Sequence, residues 1–181
     1  VVLTIVKMDY SFTGVILGIL FGLAAGVMAG IAHGAIVSNF NVPPFLITLA
    51  SQNIIYGIAQ LLTGNQVISC LEPAAFTFLG GGRLFGIPFS VCILVIVALI
   101  SFWMLNRTIF GRQVYAVGGN KEASNLSGVS SKRITTVSYA ISGFTAALAG
   151  IVLASMNQQA IAKAAQGYEN DVLTEIGRAH V

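Results

Sequence analysis

Four apolar stretches without a single Asp, Glu, Lys or Arg constrain this chain most. They lie near Ser11–Ala32, Pro44–Thr63, Phe89–Leu105 and Ile134–Met156. Each approaches the ~20 residues that a helix needs to cross a ~30 Å hydrocarbon core at ~1.5 Å per residue. Hydrocarbon offers backbone N–H and C=O groups no water to bond, so such segments cross it as helices. The expected fold is all-α, a polytopic transmembrane helical bundle with about four complete membrane segments in this chain. Composition excludes the soluble alternative. Only 8% of the 181 residues are charged, against about 25% in a soluble domain.

Gly14, Gly18, Gly22, Gly26, Gly30 and Gly34 recur at every fourth position of the first segment, which cuts a slowly drifting groove along one helix face. A second helix can pack closely there, as static packing or as a contact that moves. The second segment opens on Pro43-Pro44, where proline is tolerated in a first helical turn. It then carries Thr48, Gln52, Tyr56 and Gln60 at four-residue spacing, with Asn53 beside them. Unpartnered amides in hydrocarbon cost several kcal/mol, so this stripe is expected to face other helices or a water-filled path. Two readings stay open for it: a route for a polar solute, or interhelical hydrogen bonds that hold the bundle.

Other features carry less. His33 reads as a lone histidine at a helix end, with a structural role. Cys70, in a loop, and Cys92, near the start of a segment, have no metal-ligand spacing around them, so no metal site is expected and redox compartment stays open. Thr63–Pro88 carries Gly64-Asn65, Glu72-Pro73, Gly80-Gly81-Gly82 and Gly86-Ile87-Pro88, the punctuation of loops and turns. The glycine triplet lacks the GK[ST] ending of a nucleotide loop. Trp103 sits near the end of the third segment, where amphipathic rings favour the membrane interface.

Orientation follows from Asn106–Arg133, which holds Arg107, Arg112, Lys121, Lys132 and Arg133 against one acid, Glu122. Lys and Arg near helix ends mark the cytoplasmic side. That places Thr63–Pro88 outside, Gly34–Pro43 inside and the residues after Met156 outside. The cations form no long run and do not alternate with aromatics, so nucleic acid is not an expected partner.

The same polar stretch carries a resemblance. Gly111-Arg112, the turn Ala116-Val117-Gly118-Gly119-Asn120, Glu122-Ala123, Ser127-Gly128, Tyr139, Gly143 and Ala149-Gly150 resemble the core of sugar-uptake ABC transporter permeases of the ribose and xylose type. Pro43-Pro44-Phe45-Leu46-Ile47-Thr48-Leu49 and Gly167-Tyr168-Glu169 are similar to further stretches of that family. The likeness covers most of Gly22–Asp171, about half of a full permease. It implies a multi-pass protein of the bacterial plasma (inner) membrane that moves a monosaccharide or similar polar solute. The implied partners are an ABC ATPase subunit that binds the ATP, an extracytoplasmic solute-binding protein, a second permease subunit (the same or a homologue) and the lipid bilayer. No cofactor is implied in this chain, no catalytic residue, and no enzymatic activity.

The resemblance further implies that Gly118–Gly128 is a short coupling helix with its lead-in turn, seated on the ATPase. Gly111, Arg112, Gly118, Gly119, Asn120, Lys121, Glu122, Ala123 and Gly128 would form this ATPase-coupling loop. Physically, Gly118-Gly119-Asn120 favours a turn because glycine and asparagine tolerate left-handed angles, and Lys121–Leu126 has the composition of a short helix. The plainer reading is a solvated connector. Wider alternatives are an ion-coupled secondary transporter, which usually needs charged residues at membrane depth and finds none in the four segments, an intramembrane enzyme, and a non-transporting scaffold.

The chain reads as one permease domain over 1–174, with Val1–Val6 the tail of an earlier apolar segment. The last residues, Glu175–Val181, read EIGRAHV and resemble a translated sequencing adapter; the alternative is an ordinary polar tail.

Overall fold

The computed structural model describes residues 1–7, 11–40, 43–69, 74–84, 86–161, 167 and 174. Cys70, Glu72, Pro73, Lys163, Tyr168, Glu169 and the adapter-like 175–181 lie outside the described residues.

Among the described residues four helices are long and apolar enough to cross a membrane: α2 (Phe12–Phe40), α3 (Pro44–Thr63), α5 (Phe89–Arg107) and α8 (Ser131–Asn157). Shorter helices join them: α1 (Val2–Lys7), α4 (Ala74–Gly81), α6 (Ile109–Gly119) and α7 (Lys121–Leu126). The four long helices coincide with the four apolar stretches, but α2 runs past the expected end at Ala32, through most of Gly34–Pro43, to Phe40. Hydropathy falls at His33, Ser38 and Asn39, yet a helix persists wherever its polar side chains find partners. The Ser38 hydroxyl and the Asn39 amide both donate to the Ala35 carbonyl, and Asn39 Oδ1 accepts from Lys132 Nζ at 3.1 Å. At ~1.5 Å per residue α2 is about 43 Å long, so its last turns project beyond a ~30 Å core.

The central packing is α2 against α8. Gly22 lies beside Ile151, Gly26 beside Gly143 and Ala147, Gly30 beside Tyr139 and Ala140, and Gly34 beside Thr136. Rising numbers on one helix meet falling numbers on the other, so the pair is antiparallel. The backbones nearly touch. A Cβ at Gly26 would come within 2.6 Å of the Gly143 carbonyl oxygen, and one at Gly34 within 2.7 Å of Thr136 Cα. Without side chains at these points the two backbones interlock, which is how membrane helices gain attraction when burial from water is not on offer.

One end of this pair gathers the cations. Lys132 and Arg133 begin α8 beside the end of α2, and Arg107 closes α5. At the opposite end lies a small core of Val2, Ile5, Val15, Phe76 and Ile151. Phe76 belongs to α4, a helix in the stretch that sequence punctuation marked as loop. Its backbone carbonyl accepts from the buried Ser155 hydroxyl of α8 at 2.5 Å. Gly80 lets α4 approach α8 closely enough that a Cβ would come within 2.7 Å of Met156 Cα. Tertiary contact therefore holds a helix whose own sequence is a weak helix former. Two antiparallel pairs of two residues each, β1 (Ile68–Ser69) with β4 (Gln159–Ala160) and β2 (Arg83–Leu84) with β3 (Ile87–Pro88), trim the same end without changing the helical class.

Neither α3 nor α5 has a buried residue. Leu46, Ile54 and Leu61 on α3, and Leu94, Leu99 and Phe102 on α5, all face outward. Apolar faces of this extent are tenable against lipid or further helices, not against water.

Candidate functional site

The α3 stripe is held between two firm helix ends. Pro43 and Pro44 open it, and Gly64 closes it in the left-handed conformation at φ 61°, its N–H bonded to the carbonyls of Gln60 and Leu61. Within it the five polar side chains divide. Thr48 Oγ1 lies 3.1 Å from the Pro44 and 3.0 Å from the Phe45 carbonyl, and Asn53 Nδ2 donates to the Leu49 carbonyl at 3.0 Å. These two are exposed and satisfied on their own helix. Gln52, Tyr56 and Gln60 are half-buried and follow one face at four-residue spacing. Gln60 also lines an open hollow of about 510 Å³ with Gly57, Leu61, Gly64 and Asn65.

Beside this stripe, His33 corrects its sequence reading. It lies well inside α2, and its Nε2 is 2.5 Å from Ser51 Oγ on α3. Ser51 Oγ also lies 2.8 and 3.0 Å from the carbonyls of Ile47 and Thr48. Ser51 can thus bond both its own helix and the His33 ring. His33 thus cross-links α2 to the helix that carries the stripe. Its spacing from Ser51 gave no signal, because the two sit on different helices.

The basic end carries the second group of candidates. Thr108 breaks α5 from α6: its hydroxyl donates to the Met104 carbonyl at 2.5 Å and accepts from Gly111 N at 3.2 Å. Gly111 is buried in this corner, where a Cβ would come within 2.7 Å of Leu105 Cα, so the close approach requires glycine. Arg112 beside it is exposed. The expected left-handed turn at Gly118-Gly119-Asn120 is not formed. Gly118 and Gly119 continue α6, and Asn120 is extended at φ −155° and ψ 109°. The physical reason is capping. Asn120 N–H still donates to the Ala116 carbonyl at 3.0 Å, while its Oδ1 accepts from the N–H groups of Glu122 and Ala123 at 2.9 and 3.0 Å. One asparagine ends α6 and starts α7, and glycine's freedom goes unused.

Helix α7 covers Lys121–Leu126 as the composition indicated. Lys121, Glu122 and Ala123 are exposed, and Gly128 turns the chain back at φ 82°. Added Cβ atoms at Gly118, Gly119 and Gly128 would meet nothing within 4 Å. The side chain that sequence reasoning missed is Leu126, 91% exposed at the tip of α7. It is the one large apolar residue of that helix, and none of the described residues covers it.

The profile of the family described as branched-chain amino acid transport system / permease component matches residues 1–175. Among curated relatives, the ribose import permease protein RbsC of Bacillus subtilis is 31% identical over 145 residues, covering 80% of this chain and 45% of the relative. The Haemophilus influenzae RbsC is 34% identical over 146 residues, with 79% and 45% covered. The L-arabinose transport system permease protein AraH of Escherichia coli is 32% identical over 142 residues, with 78% and 43% covered. The chain spans about half the length of these relatives. No solved structure matches it significantly. Its likeness runs to the sugar permeases of this wider group, and the chain belongs to the family of branched-chain amino acid transport system permease components.

Proposed function

We propose that this chain is part of the membrane-spanning permease of a bacterial ABC importer that carries a monosaccharide or a similar polar solute across the plasma membrane. Energy comes from a separate ATPase subunit that binds ATP, solute arrives from an extracytoplasmic binding protein, and a second permease subunit completes the path. The chain itself performs no chemistry on the solute.

The observation that carries the reading is the α6–α7 excursion in a chain similar to ribose and arabinose permeases. It places a firmly capped, exposed helix at the basic end, which the charge bias assigns to the cytoplasm. Gly118, Gly119, Lys121, Glu122 and Ala123 offer an open face with Leu126 at its tip. An exposed apolar side chain ringed by polar ones matches the apolar centre and polar rim of a protein interface. Gly111 and Asn120 aim that face, and Gly128 returns the chain to α8.

Gln52, Tyr56 and Gln60 are the side chains best suited to the path. They offer donors and acceptors that match sugar hydroxyls without a fixed charge that would trap an ion.

Reconstitution of the full-length permease with its ATPase and binding protein in proteoliposomes tests the reading. Uptake of a pentose or hexose that needs both ATP and the ATPase is expected. Uptake driven by an ion gradient without ATP would overturn it.

A further inference from the structure

A helix of six residues does not hold its shape alone, because nucleation costs more than so few hydrogen bonds return. The structure shows what holds α7. Asn125 Oδ1 accepts from the Ser131 backbone N–H at 3.0 Å and from the Ser131 hydroxyl at 2.7 Å. The same hydroxyl lies 3.2 Å from the Lys121 carbonyl, so it spans the length of α7. Between them Val129 N–H donates to the Ser124 carbonyl at 2.9 Å, and both Ser124 and Ser131 are buried.

This arrangement fills a need of α8 as well. The first N–H groups of a helix have no partner within it. Ser130 Oγ accepts from Arg133 N at 3.4 Å, and the Ser131 N–H is satisfied by a side chain from a different helix. The start of α8 is thus capped by α7. The two helices share hydrogen-bonding groups instead of being linked by a slack loop.

From there the contacts continue without slack. Helix α8 seats Thr136, Tyr139 and Gly143 against the glycines of α2 at distances that leave no room for a side chain. Lys132, next to Ser131, bonds Asn39 at the end of α2. Contacts therefore run from α7 through the first turn of α8 to α2.

We infer that Asn125 and Ser131 are positioning residues for coupling, which fasten α7 to the first turn of α8 so that movement at the ATPase reaches the membrane helices. The inference rests on the reading of α7 as the docking helix.

The test uses the full-length permease assembled with its ATPase and binding protein, reading ATP hydrolysed per solute taken up, at matched amounts of assembled complex. Asn125→Ala removes the shared acceptor of two bonds, and the ratio should rise at least about fivefold, the equivalent of ~1 kcal/mol. Asn125→Asp keeps an acceptor and adds a charge favourable at a helix N-terminus, so its ratio should stay within about twofold of wild type. Ser131→Ala keeps the backbone N–H bond and should raise the ratio less; it also serves if Asn125→Ala does not assemble. The double variant should raise the ratio at least as much as Asn125→Ala alone, since the Ser131 hydroxyl also reaches the Lys121 carbonyl. A purely structural cap would lower the amount of complex and leave the ratio unchanged, and that result overturns the inference, as does equal uncoupling by Asn125→Asp and Asn125→Ala. A wild-type complex without ATP-driven uptake would remove the functional reading together with the inference. Wild-type uptake with an unaltered Asn125→Ala ratio would remove the inference alone.

Discussion

The α2–α8 pair and the α6–α7 excursion are both rich in glycine and use it in opposite ways. On α2, Gly26, Gly30 and Gly34 sit where another backbone occupies the place of a side chain. On the excursion, Gly118 and Gly119 are helical and face open space. In the first region glycine is demanded by this chain's own packing. At Gly118 and Gly119 nothing among the described residues demands it, in contrast to Gly111 at the start of α6, so a small side chain at those two positions matters to whatever docks on that face.

The largest expected break of this contrast is Gly26→Leu. Its side chain would meet the Gly143 carbonyl and Ala147, and overpacking of this kind costs about 1–3 kcal/mol or more. Thermal unfolding of the purified permease in detergent should show a clear loss of stability, and an unchanged midpoint would contradict the interlocked pair. Ser155→Ala comes next. It removes the hydroxyl that ties α8 to the Phe76 carbonyl, at a cost of about 0.5–1.5 kcal/mol, and should raise hydrogen exchange in α4 while leaving α7 unchanged.

Asn120→Ala should cost about 1 kcal/mol, read as faster amide exchange at Glu122 and Ala123, with Asn120→Gly losing only a few tenths. Gly119→Ala should change stability by less than about 0.5 kcal/mol. The same open space makes Gly119→Val tolerable for folding, so any loss of uptake it causes would come from the docking face and not from a distorted turn.

The difference between the regions also explains what was legible in the sequence. Bounds of α3 and α7 could be read because local chemistry sets them: Pro43-Pro44 and Gly64 for one, Asn120 for the other. The glycine groove was visible as a period, though its partner on α8 was not, since nothing in the period names Gly143 or Tyr139. The reach of α2 to Phe40 was missed because hydropathy stops where water begins, whereas the helix continues on the bonds of Ser38, Asn39 and Lys132. Helix α4 was hidden because Ala74–Gly81 reads as glycine-rich loop, and it is Ser155 and Met156, far along the chain, that give it a surface to pack on. At Gly118-Gly119 propensity pointed to a left-handed turn, and the Asn120 cap supplied a lower-energy route. Among the site residues, Gln52, Tyr56 and Gln60 were readable as a stripe. Leu126, His33 with Ser51, and Asn125 with Ser131 take their meaning from neighbours that only the fold provides.

The most direct test of the α7 assignment is site-directed crosslinking in the assembled transporter, with Cys70 and Cys92 replaced by serine. A single cysteine at Leu126 should crosslink to the ATPase subunit and react with membrane-impermeant reagents from the cytoplasmic side only. A cysteine at Asn65, beyond the other end of α3, should react only from outside and form no such crosslink. A Leu126 cysteine that is labelled from outside, or that never reaches the ATPase while uptake proceeds normally, would contradict the account.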